Sequence, residues 1–199
     1  YLDFVRHFDR VTSVRPEDGH FVVETTDADR FAAQTLIIAT GAKPERLNVP
    51  GAKRLAGRGL SYSATTHAGL FLGKDVAVVG SGRRAQWAAA GLARKAHRVY
   101  LLPSEPLLPT PLADKLHKME NLEILEGASV TRITGDHYVD GVVASMPDGE
   151  EQHLDVKGVF IKLARIPNSG LVSEWVDCDK RGHIIVDQSN ATSWPGVVA

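Results

Sequence analysis

Short apolar runs punctuated by glycine recur along the chain, and the clearest of them lies near its middle. Residues 76–79 read Val-Ala-Val-Val and stop at Gly80, an alanine-rich segment follows at 83–95, and another apolar run occupies 99–102. Short β-branched runs bounded by glycine are typical of buried strands, whereas alanine favours helix. The pattern therefore predicts a strand–helix–strand unit, which places two parallel strands in one sheet.

Further apolar segments predict strands on both sides of this unit. Pro16-Glu17-Asp18-Gly19 and Pro147-Asp148-Gly149 are turn sequences between such segments, so some strands should form antiparallel hairpins. Residues 103–111 contain four prolines and should be irregular, and 112–119 should form a short helix. The additional predicted strands are 11–14, 21–25, 31–39, 122–125, 130–133, 141–145, 159–163 and 184–186. The chain is therefore expected to have an α/β fold.

Composition and charge narrow the function classes without changing this fold prediction. The 199 residues are 43% hydrophobic and 24% charged, with a net charge of −1, which gives no reason to expect a nucleic-acid or membrane partner. No apolar stretch is long enough to span a membrane. Cys178 is the only cysteine, so an intrachain disulfide and a thiolate metal site are both excluded. The expected location is cytoplasmic.

The segment that joins the predicted strand to the helix is the main candidate for chemistry. Gly80-Ser81-Gly82-Arg83-Arg84-Ala85 fits the dinucleotide-binding pattern G-x-G-x-x-A and lies in the strand–turn–helix context that the pattern requires. The first glycine permits a tight turn, the second lets the backbone approach a pyrophosphate, and the alanine allows close packing of helix on strand. Free N–H groups at the helix start would then bind phosphate. A glycine-tight turn that binds no ligand is the alternative interpretation.

The residues that would determine selectivity between NADH and NADPH do not all favour the same nucleotide. An acid at the end of the second strand binds the ribose of NAD, whereas an arginine there binds the 2′-phosphate of NADP. Glu105 is the only acid near that position and should repel a 2′-phosphate. Arg83 and Arg84 could pair with phosphate, or they could be solvated residues of the first helical turn. The nucleotide is expected to be NADH or NADPH, with NADH bound at least as tightly.

Four features, one of which is the turn at Gly80, occur in a fixed order along the chain. They are Leu36-Ile37-Ile38-Ala39-Thr40-Gly41-Ala42-Lys43-Pro44 with Val49-Pro50-Gly51, then Gly57-Arg58-Gly59-Leu60-Ser61-Tyr62-Ser63-Ala64-Thr65-Thr66, then the turn at Gly80, and finally Gly158-Val159-Phe160-Ile161 with Ile166-Pro167-Asn168, Gly182-His183-Ile184-Ile185-Val186-Asp187 and Thr192-Ser193-Trp194-Pro195-Gly196-Val197-Val198-Ala199. This ordered set resembles the thioredoxin-reductase branch of the pyridine nucleotide-disulfide oxidoreductase family, which uses FAD and a nicotinamide nucleotide.

The resemblance implies a fold and a domain organisation. It implies a Rossmann-like nucleotide-binding domain, in which a parallel sheet with helices is joined by an antiparallel β-meander, inserted in a partial FAD-binding domain of the same type. Residues 1–47 and 167–199 would belong to the FAD-binding domain, and residues 48–166 would form the NAD(P)-binding domain. Thr40, Gly41 and residues 195–199 would line the flavin side.

The second feature departs from the family at its redox centre. Where the family has Cys-Ala-Thr-Cys-Asp, this sequence has Ser63-Ala64-Thr65-Thr66-His67. Hydroxyl groups cannot replace thiolates in disulfide exchange, so Ser63 and Thr66 should not reduce thioredoxin. His67 stands at the position of the acid and is the candidate catalytic residue, because an imidazole can move protons near neutral pH. A surface or helix-capping histidine is the alternative.

Two more departures concern the cofactors. The family's His-Arg-Arg, which binds the 2′-phosphate of NADPH, is replaced by Pro103-Ser104-Glu105. The family's flavin glycine motif would precede Tyr1 and its closing Gly-Asp would follow Ala199, so the sequence is expected to be a piece of a longer protein. FAD is accordingly expected in the full-length protein rather than on this piece alone.

Two hypotheses of function remain open at the level of the sequence. In the first, the chain belongs to a flavoprotein oxidoreductase that passes electrons from NAD(P)H through FAD to an acceptor, a small molecule or a protein, without a Cys-x-x-Cys dithiol of its own. Such a protein could be a homodimer. In the second hypothesis, the fold persists as a non-catalytic nucleotide-binding or regulatory module.

The remaining candidate residues are expected to have structural roles. Trp87, on the predicted apolar helix, should pack in the interior. His183 and Asp187 should share the solvent face of a strand around 184–186. Cys178 should be unreactive, and the eight histidines are scattered without metal-ligand spacing, so no metal site is expected.

Overall fold

The computed structural model describes residues 4–199, which form two compact units. Unit 1 consists of Tyr1–Lys43 and Arg165–Ala199, and unit 2 of Pro44–Ala164. The first three residues of the expected 1–47 domain lie outside the described residues. The unit boundaries fall a few residues from the expected 47/48 and 166/167, and the assignment of a cofactor to each unit remains a prediction. No helix among residues 4–199 is long and apolar enough to cross a membrane.

The secondary-structure elements are short and mostly strands. In chain order the strands are β1 (Val11–Glu17), β2 (His20–Thr25), β3 (Arg30–Ala33), β4 (Leu36–Ile37), β5 (Ala42–Pro44), β6 (Leu60–Ser61), β7 (Val76–Val79), β8 (Val99–Leu102), β9 (Leu122–Ile124), β10 (Ser129–Thr134), β11 (Gly141–Ser145), β12 (Glu151–Asp155), β13 (Gly158–Ile161), β14 (Arg165–Pro167) and β15 (Val197–Val198). The helices are α1 (Ala64–His67), which continues into a 3-10 turn at Ala68–Phe71, α2 (Arg83–Ala93) and α3 (Pro111–Leu116).

Unit 2 is built on a five-stranded parallel sheet with β7 at its centre. The strand order is β6-β13-β7-β8-β9, and every neighbouring pair is parallel. All four residues of β7 are buried, and they alternate between the two faces of the sheet, with Val76 and Val78 in one hydrophobic cluster and Ala77 and Val79 in the other. A strand buried on both faces needs apolar side chains at every position, which is why the sequence marked β7 clearly.

Helix α2 covers one face of this sheet. Ala85, Ala89 and Leu92 lie on one side of the helix and are buried in the same cluster as Val76 and Val78. Their spacing of three and four residues is the helical repeat, and the small alanines let the helix lie close to the strands. Full burial of a side chain such as that of Leu92 stabilises the fold by about 1.5–3 kcal/mol. The predicted strand–helix–strand unit is therefore present.

A three-stranded antiparallel meander covers the opposite face. Its order is β10-β11-β12, and Ile133, Val142 and Leu154 pack in the cluster that contains Ala77 and Val79. Two of its three strands were predicted from the sequence, whereas β12 was not, since only one of its five residues is buried. The predicted fold class, α/β with a parallel sheet of Rossmann-like type, is confirmed.

Unit 1 combines an antiparallel sheet with two short strand pairs. Strands β1, β2 and β3 form the sheet, β4 pairs in parallel with β15, and β5 pairs with β14. Aromatic side chains hold this unit together: Trp175 stacks on Phe21 with ring centroids 5.9 Å apart and meets Trp194 edge-on at 5.4 Å. Such aromatic pairs add about 0.5–1.5 kcal/mol each beyond the burial of their area.

The apolar segment 31–39 does not form one strand as predicted. It bends at Gln34, so that β3 ends at Ala33 and pairs with β2, while β4 begins at Leu36 and pairs with β15. Within β4, Ile37 is 81% exposed. Hydrophobicity alone could not locate the break, because it lies at the point where the chain leaves one sheet for another.

The strand predicted at 184–186 is also wrong. Residues 183–187 form loops with a single bridge between Cys178 and Ile184. The carboxylate of Asp179 accepts hydrogen bonds from the backbone N–H groups of Arg181 (2.8 Å) and His183 (2.9 Å), and that of Asp187 accepts from Ser189 and Ala191 in the same way. The bond donated by the backbone of His183, as the largest cause, and that donated by Arg181 lower the pKa of Asp179. Side-chain-to-backbone bonds of this kind stabilise turns in place of a strand.

Candidate functional site

The glycine turn after β7 has the backbone geometry that a dinucleotide site needs. Gly80 has φ of 140°, and a Cβ there would lie 2.4 Å from the carbonyl oxygen of Lys162. Gly80 is therefore required by both conformation and space. A Cβ at Gly82, in contrast, would meet nothing within 4 Å, so this glycine leaves open space on the outer side of the turn. Ala85 is fully buried where α2 packs on the sheet.

Four consecutive backbone N–H groups at this turn are free to bind a ligand. Helix α2 begins after Gly82, and its first internal hydrogen bonds are donated by Ala85 and Gln86 to the carbonyl oxygen of Gly82, at 2.9 and 3.2 Å. The N–H groups of residues 81–84 donate to no acceptor among residues 4–199. Unpaired N–H groups at a helix N-terminus, next to a glycine without a side chain, are a site for phosphate. The turn therefore fits the pyrophosphate of a nicotinamide nucleotide.

The proline-rich loop that carries Glu105 is held against this turn. The backbone N–H of Glu105 donates to the hydroxyl of Ser81 at 3.2 Å. Further along the loop, the buried side chain of Gln86 donates to the carbonyl of Leu108 at 2.7 Å and accepts from the hydroxyl of Thr110 at 2.5 Å. The structure thus brings Glu105 beside the candidate phosphate site. Gln86 was missed at the sequence level, because one glutamine in an alanine-rich helix gives no signal there.

Arg83 and Arg84 lie exposed in the first turn of α2. This turn contains no acidic residue, and neither arginine forms an ion pair with a carboxylate of residues 4–199. Arginine at a helix N-terminus is unfavourable with respect to the helix dipole, and nothing within the described chain compensates for it. Lys162 follows β13, and burial, with the nearby charge of Arg84 as a second cause, lowers its pKa. An anion would relieve this repulsion.

The segment that replaces the family's dithiol forms the start of α1. The hydroxyl of Ser63 accepts a hydrogen bond from the backbone N–H of Thr66 at 3.4 Å and donates to the hydroxyl of Thr66 at 2.9 Å. Ser63 is thus the N-cap of α1, and Thr66 lies one turn along it. The two hydroxyl groups are thus hydrogen-bonded to each other, and that of Ser63 also caps the helix.

His67, at the end of α1, is held by a residue that the sequence did not single out. Its Nδ1 lies 2.7 Å from the hydroxyl oxygen of Ser61, which is buried. The same oxygen accepts from the backbone N–H of Ser63 at 3.0 Å and donates to the carbonyl of Ser63 at 3.2 Å. These contacts fix the position of the His67 ring at the end of α1.

A groove of about 650 Å³ runs between the segment of residues 62–68 and α2. Its lining includes Ser63, Thr65, Arg84, Trp87 and Lys162. The indole of Trp87 is 67% exposed, so the prediction that Trp87 packs in the interior is wrong. The buried side of α2 is occupied by alanines and Leu92, which leaves the larger ring on the opposite, groove-lining side.

The candidate flavin-side residues of unit 1 form a small cavity of their own. Thr40 donates through its hydroxyl to the carbonyl of Asn168 at 2.9 Å, and the amide of Asn168 donates back to the carbonyl of Thr40 at 2.9 Å. These two residues, Gly41, His183 and Ala199 line a cavity of about 210 Å³. Unit 1 has no helix and no strand–helix glycine turn within residues 4–43 and 165–199. The described part of unit 1 therefore does not by itself fit the whole of FAD, and the role of Thr40 and Gly41 on the flavin side remains a prediction.

Titratable residues elsewhere do not assemble into a further centre. Within residues 4–199, no group of three or more His, Cys, Asp or Glu side chains is placed to hold a metal ion. Cys178 is partly buried, and its thiol donates only to the carbonyl of Val176, at 3.6 Å.

The fold and the glycine turn are of the Rossmann-like nucleotide-binding type, and comparison with known proteins identifies the family. The family model described as pyridine nucleotide-disulphide oxidoreductase matches residues 4–199, and the chain belongs to that family. Members of the family are oxidoreductases that use FAD and NAD(P)H.

Individual relatives agree with this family. A subunit of alkyl hydroperoxide reductase from Staphylococcus aureus is 33% identical over 193 residues, which cover 96% of this chain and 38% of the relative. The crystal structure of T. acidophilum thioredoxin reductase superposes with a TM-score of 0.80 at 33% identity, and covers 95% of this chain and 63% of that one. Lactococcus lactis thioredoxin reductase in the FR conformation gives a TM-score of 0.82 at 27% identity, covering 96% and 64%. The chain thus spans less than two fifths of the curated relatives and less than two thirds of these solved structures.

Proposed function

We propose that this chain is the nicotinamide-binding part, together with part of the flavin-binding part, of an oxidoreductase that passes electrons from NADH or NADPH through FAD to an acceptor. The observation that carries the proposal is the turn at Gly80 and Gly82, with four free N–H groups at the start of α2. Membership of the pyridine nucleotide-disulphide oxidoreductase family supports it. The nucleotide supplies the hydride when it is bound.

In this scheme the residues of the chain bind the nucleotide and position it. The N–H groups of residues 81–84 would bind the pyrophosphate, and Gly82 would leave the space that it needs. Ser81 holds the backbone of Glu105 beside the site, so the carboxylate would disfavour a 2′-phosphate. His67, held in place by the hydroxyl of Ser61, would move a proton at the site.

The acceptor would be something other than a dithiol of this segment. Ser63 and Thr66 present hydroxyl groups that are hydrogen-bonded to each other, and hydroxyls do not undergo disulfide exchange. Electrons would therefore be transferred to a separate molecule, either a small oxidant or a protein partner. One relative is named for the reduction of alkyl hydroperoxide, a small molecule, and another for the reduction of thioredoxin, a protein. The relatives are therefore compatible with either type of acceptor.

The proposal is tested by calorimetric titration of the protein with NADH and with NADPH. We expect NADH to bind at least as tightly as NADPH, because the carboxylate of Glu105, whose backbone is held beside the turn, would repel a 2′-phosphate. Gly82→Ala should weaken NADH binding about tenfold, since its methyl group enters the open space at the turn while touching nothing in the protein. The matched control is Gly69→Ala, which also meets nothing within 4 Å and lies in the 3-10 turn away from the glycine turn; it should leave the affinity unchanged.

The outcomes separate the two functions that the sequence left open. A clear preference for NADPH would contradict the role assigned to Glu105 and point to Arg83 or Arg84 as the 2′-phosphate ligand. Absence of binding by both nucleotides would overturn the oxidoreductase proposal. It would favour a non-catalytic module, for which the replacement of the dithiol by capping hydroxyls is the supporting observation.

A further inference from the structure

The groove between residues 62–68 and α2 has a cationic lining at both ends. Arg84 and Lys162 lie at the end near the start of α2, and Arg94 and Lys95 lie near its C-terminus. Ten residues of helix separate the two arginine Cα atoms along the axis by about 15 Å. The lining contains no aspartate or glutamate. The groove is therefore a positively charged channel rather than a mixed polar surface.

None of these cations is neutralised within the described chain. No carboxylate of residues 4–199 forms an ion pair with Arg84, Arg94, Lys95 or Lys162. Lys162 is only half-exposed and donates one hydrogen bond, to the carbonyl of Tyr62 at 2.5 Å, so two of its three N–H donors remain for a ligand. Arg84 and Lys162 line the same end of the groove, and burial, with the charge of Arg84 as a second cause, lowers the pKa of Lys162. Such a pair favours the binding of an anion.

The rest of the lining suits a flat, apolar body. Trp87 lies one helical turn from Arg84 on the same side of α2, and its indole is 67% exposed at the rim. The floor is made of the small residues Ala64, Ala68, Ala88 and Gly91, and a Cβ added at Gly91 would meet nothing within 4 Å. An exposed indole over a floor of small residues leaves room for an aromatic ring to stack.

We propose that this groove is a binding site for an anionic aromatic molecule of the aromatic carboxylate class. Its carboxylate would accept hydrogen bonds from Lys162 and Arg84, and its ring would stack on the indole of Trp87. Thr65, whose hydroxyl has no hydrogen-bond partner among residues 4–199, also lines the groove and would offer a further donor to the carboxylate. Cations supply the affinity for charge and the indole selects for a ring.

The groove adjoins the candidate nucleotide site without including its glycine turn. Its lining contains none of Gly80, Ser81 or Gly82. It does contain Arg84, whose backbone N–H is one of the four assigned to pyrophosphate, so the two sites share this one residue. The inference stands on the groove alone and does not depend on the proposed oxidoreductase function.

The test uses 2-naphthoate as the probe and 2-naphthamide as its uncharged analogue. Isothermal titration calorimetry of the protein should show binding of 2-naphthoate that weakens as NaCl rises, and no comparable binding of 2-naphthamide. Lys162→Met and Arg84→Met should each weaken naphthoate binding about tenfold, since each removes a charged hydrogen-bond donor. Trp87→Ala should weaken it as well.

The matched control removes a charge from a residue of the same unit that is outside the groove lining. Lys74→Met changes an exposed lysine that does not line the groove and should leave naphthoate binding unchanged. Circular dichroism melting of each variant identifies any loss of folding, and Arg84→Met, an exposed position, keeps the test decisive if Lys162→Met fails to fold. Equal binding of naphthoate and naphthamide, an equal effect of Lys74→Met, or displacement of naphthoate by NADH would each overturn the proposal.

Discussion

At the scale of single residues, the most informative feature is the pair of hydroxyl residues at the positions where the sequence predicts the family's dithiol to be replaced. The hydroxyl oxygens of Ser63 and Thr66 lie 2.9 Å apart across the first turn of α1, so their side chains face each other. Neither can form a thiolate, and Cys178 belongs to unit 1, whereas α1 belongs to unit 2. The site is therefore arranged for a pair of facing groups, although this sequence cannot use them for disulfide exchange.

This arrangement predicts that the double substitution Ser63→Cys/Thr66→Cys creates a disulfide on oxidation. The facing geometry brings two sulfur atoms within bonding range after small side-chain rotations. Thiol titration of the oxidised, unfolded double variant should then find one free thiol, that of Cys178. Ser63→Cys/Thr65→Cys is the control, because side chains two residues apart in a helix do not face each other. Three free thiols are expected in this variant. Three thiols in the first variant would show that α1 does not hold these side chains together.

At the scale of elements, the loop between β8 and α3 is fixed by one buried polar side chain. Gln86 is 1% exposed, and its amide bridges the carbonyl of Leu108 and the hydroxyl of Thr110. Thr110 in turn is the N-cap of α3 and accepts from the backbone N–H of Ala113 at 3.1 Å. One glutamine of α2 thus sets the course of the proline-rich loop and the start of the next helix, and with them the position of Glu105.

We therefore expect Gln86→Leu to lower the free energy of unfolding by about 2 kcal/mol. The substitution keeps the volume and the apolar packing but leaves the Leu108 carbonyl without its buried partner, at a cost of about 1–3 kcal/mol. Urea denaturation measures the change. Gln152→Leu, a partly exposed strand position whose side chain makes no hydrogen bond among residues 4–199, serves as the control and should change stability little. A similar small change for Gln86→Leu would mean that the loop is held by other contacts.

At the scale of the whole molecule, the two units differ in the depth of their cores. In unit 2, β7 and β13 are buried along their entire length. In unit 1, β1 and β3 contain no fully buried residue, and the exposed large apolar side chains include Phe4, Phe8 and Ile37. Backbone hydrogen bonds open most often where few apolar side chains cover them.

This difference predicts unequal protection in amide hydrogen exchange. The amides of residues 83–95 should exchange slowly, because α2 packs on the centre of the parallel sheet, and those of residues 4–35 should exchange faster. Mass spectrometry of peptic fragments, with the oligomeric state measured by ultracentrifugation in parallel, makes the comparison. Strong and equal protection of both segments in a monomer would contradict the prediction. Equal protection in a dimer would indicate that a second copy covers the exposed side chains of unit 1.

The sequence by itself determined the elements whose physical signal is local. A strand buried on both faces must be apolar at every position, and a tight turn near phosphate must contain glycine, so β7, α2 and the turn at Gly80 could be predicted from residue types alone. The family could be predicted for the same reason, since its motifs are short and ordered. The replacement of the dithiol at Ser63 and Thr66 was equally plain, because it requires only the identity of two residues.

Tertiary structure alone decided the features that depend on which segments meet. The break between β3 and β4, the loops that replaced a strand at 184–186, and the exposure of Trp87 follow from partners distant in sequence or from the side of a helix that the sheet leaves free. The pairing of Ser61 with His67 and the approach of Lys162 to Arg84 join side chains across separate elements. Hydrophobic periodicity reports whether a residue is buried, but it does not report what lies opposite it, and that is why the groove on α2 could be recognised only in the folded chain.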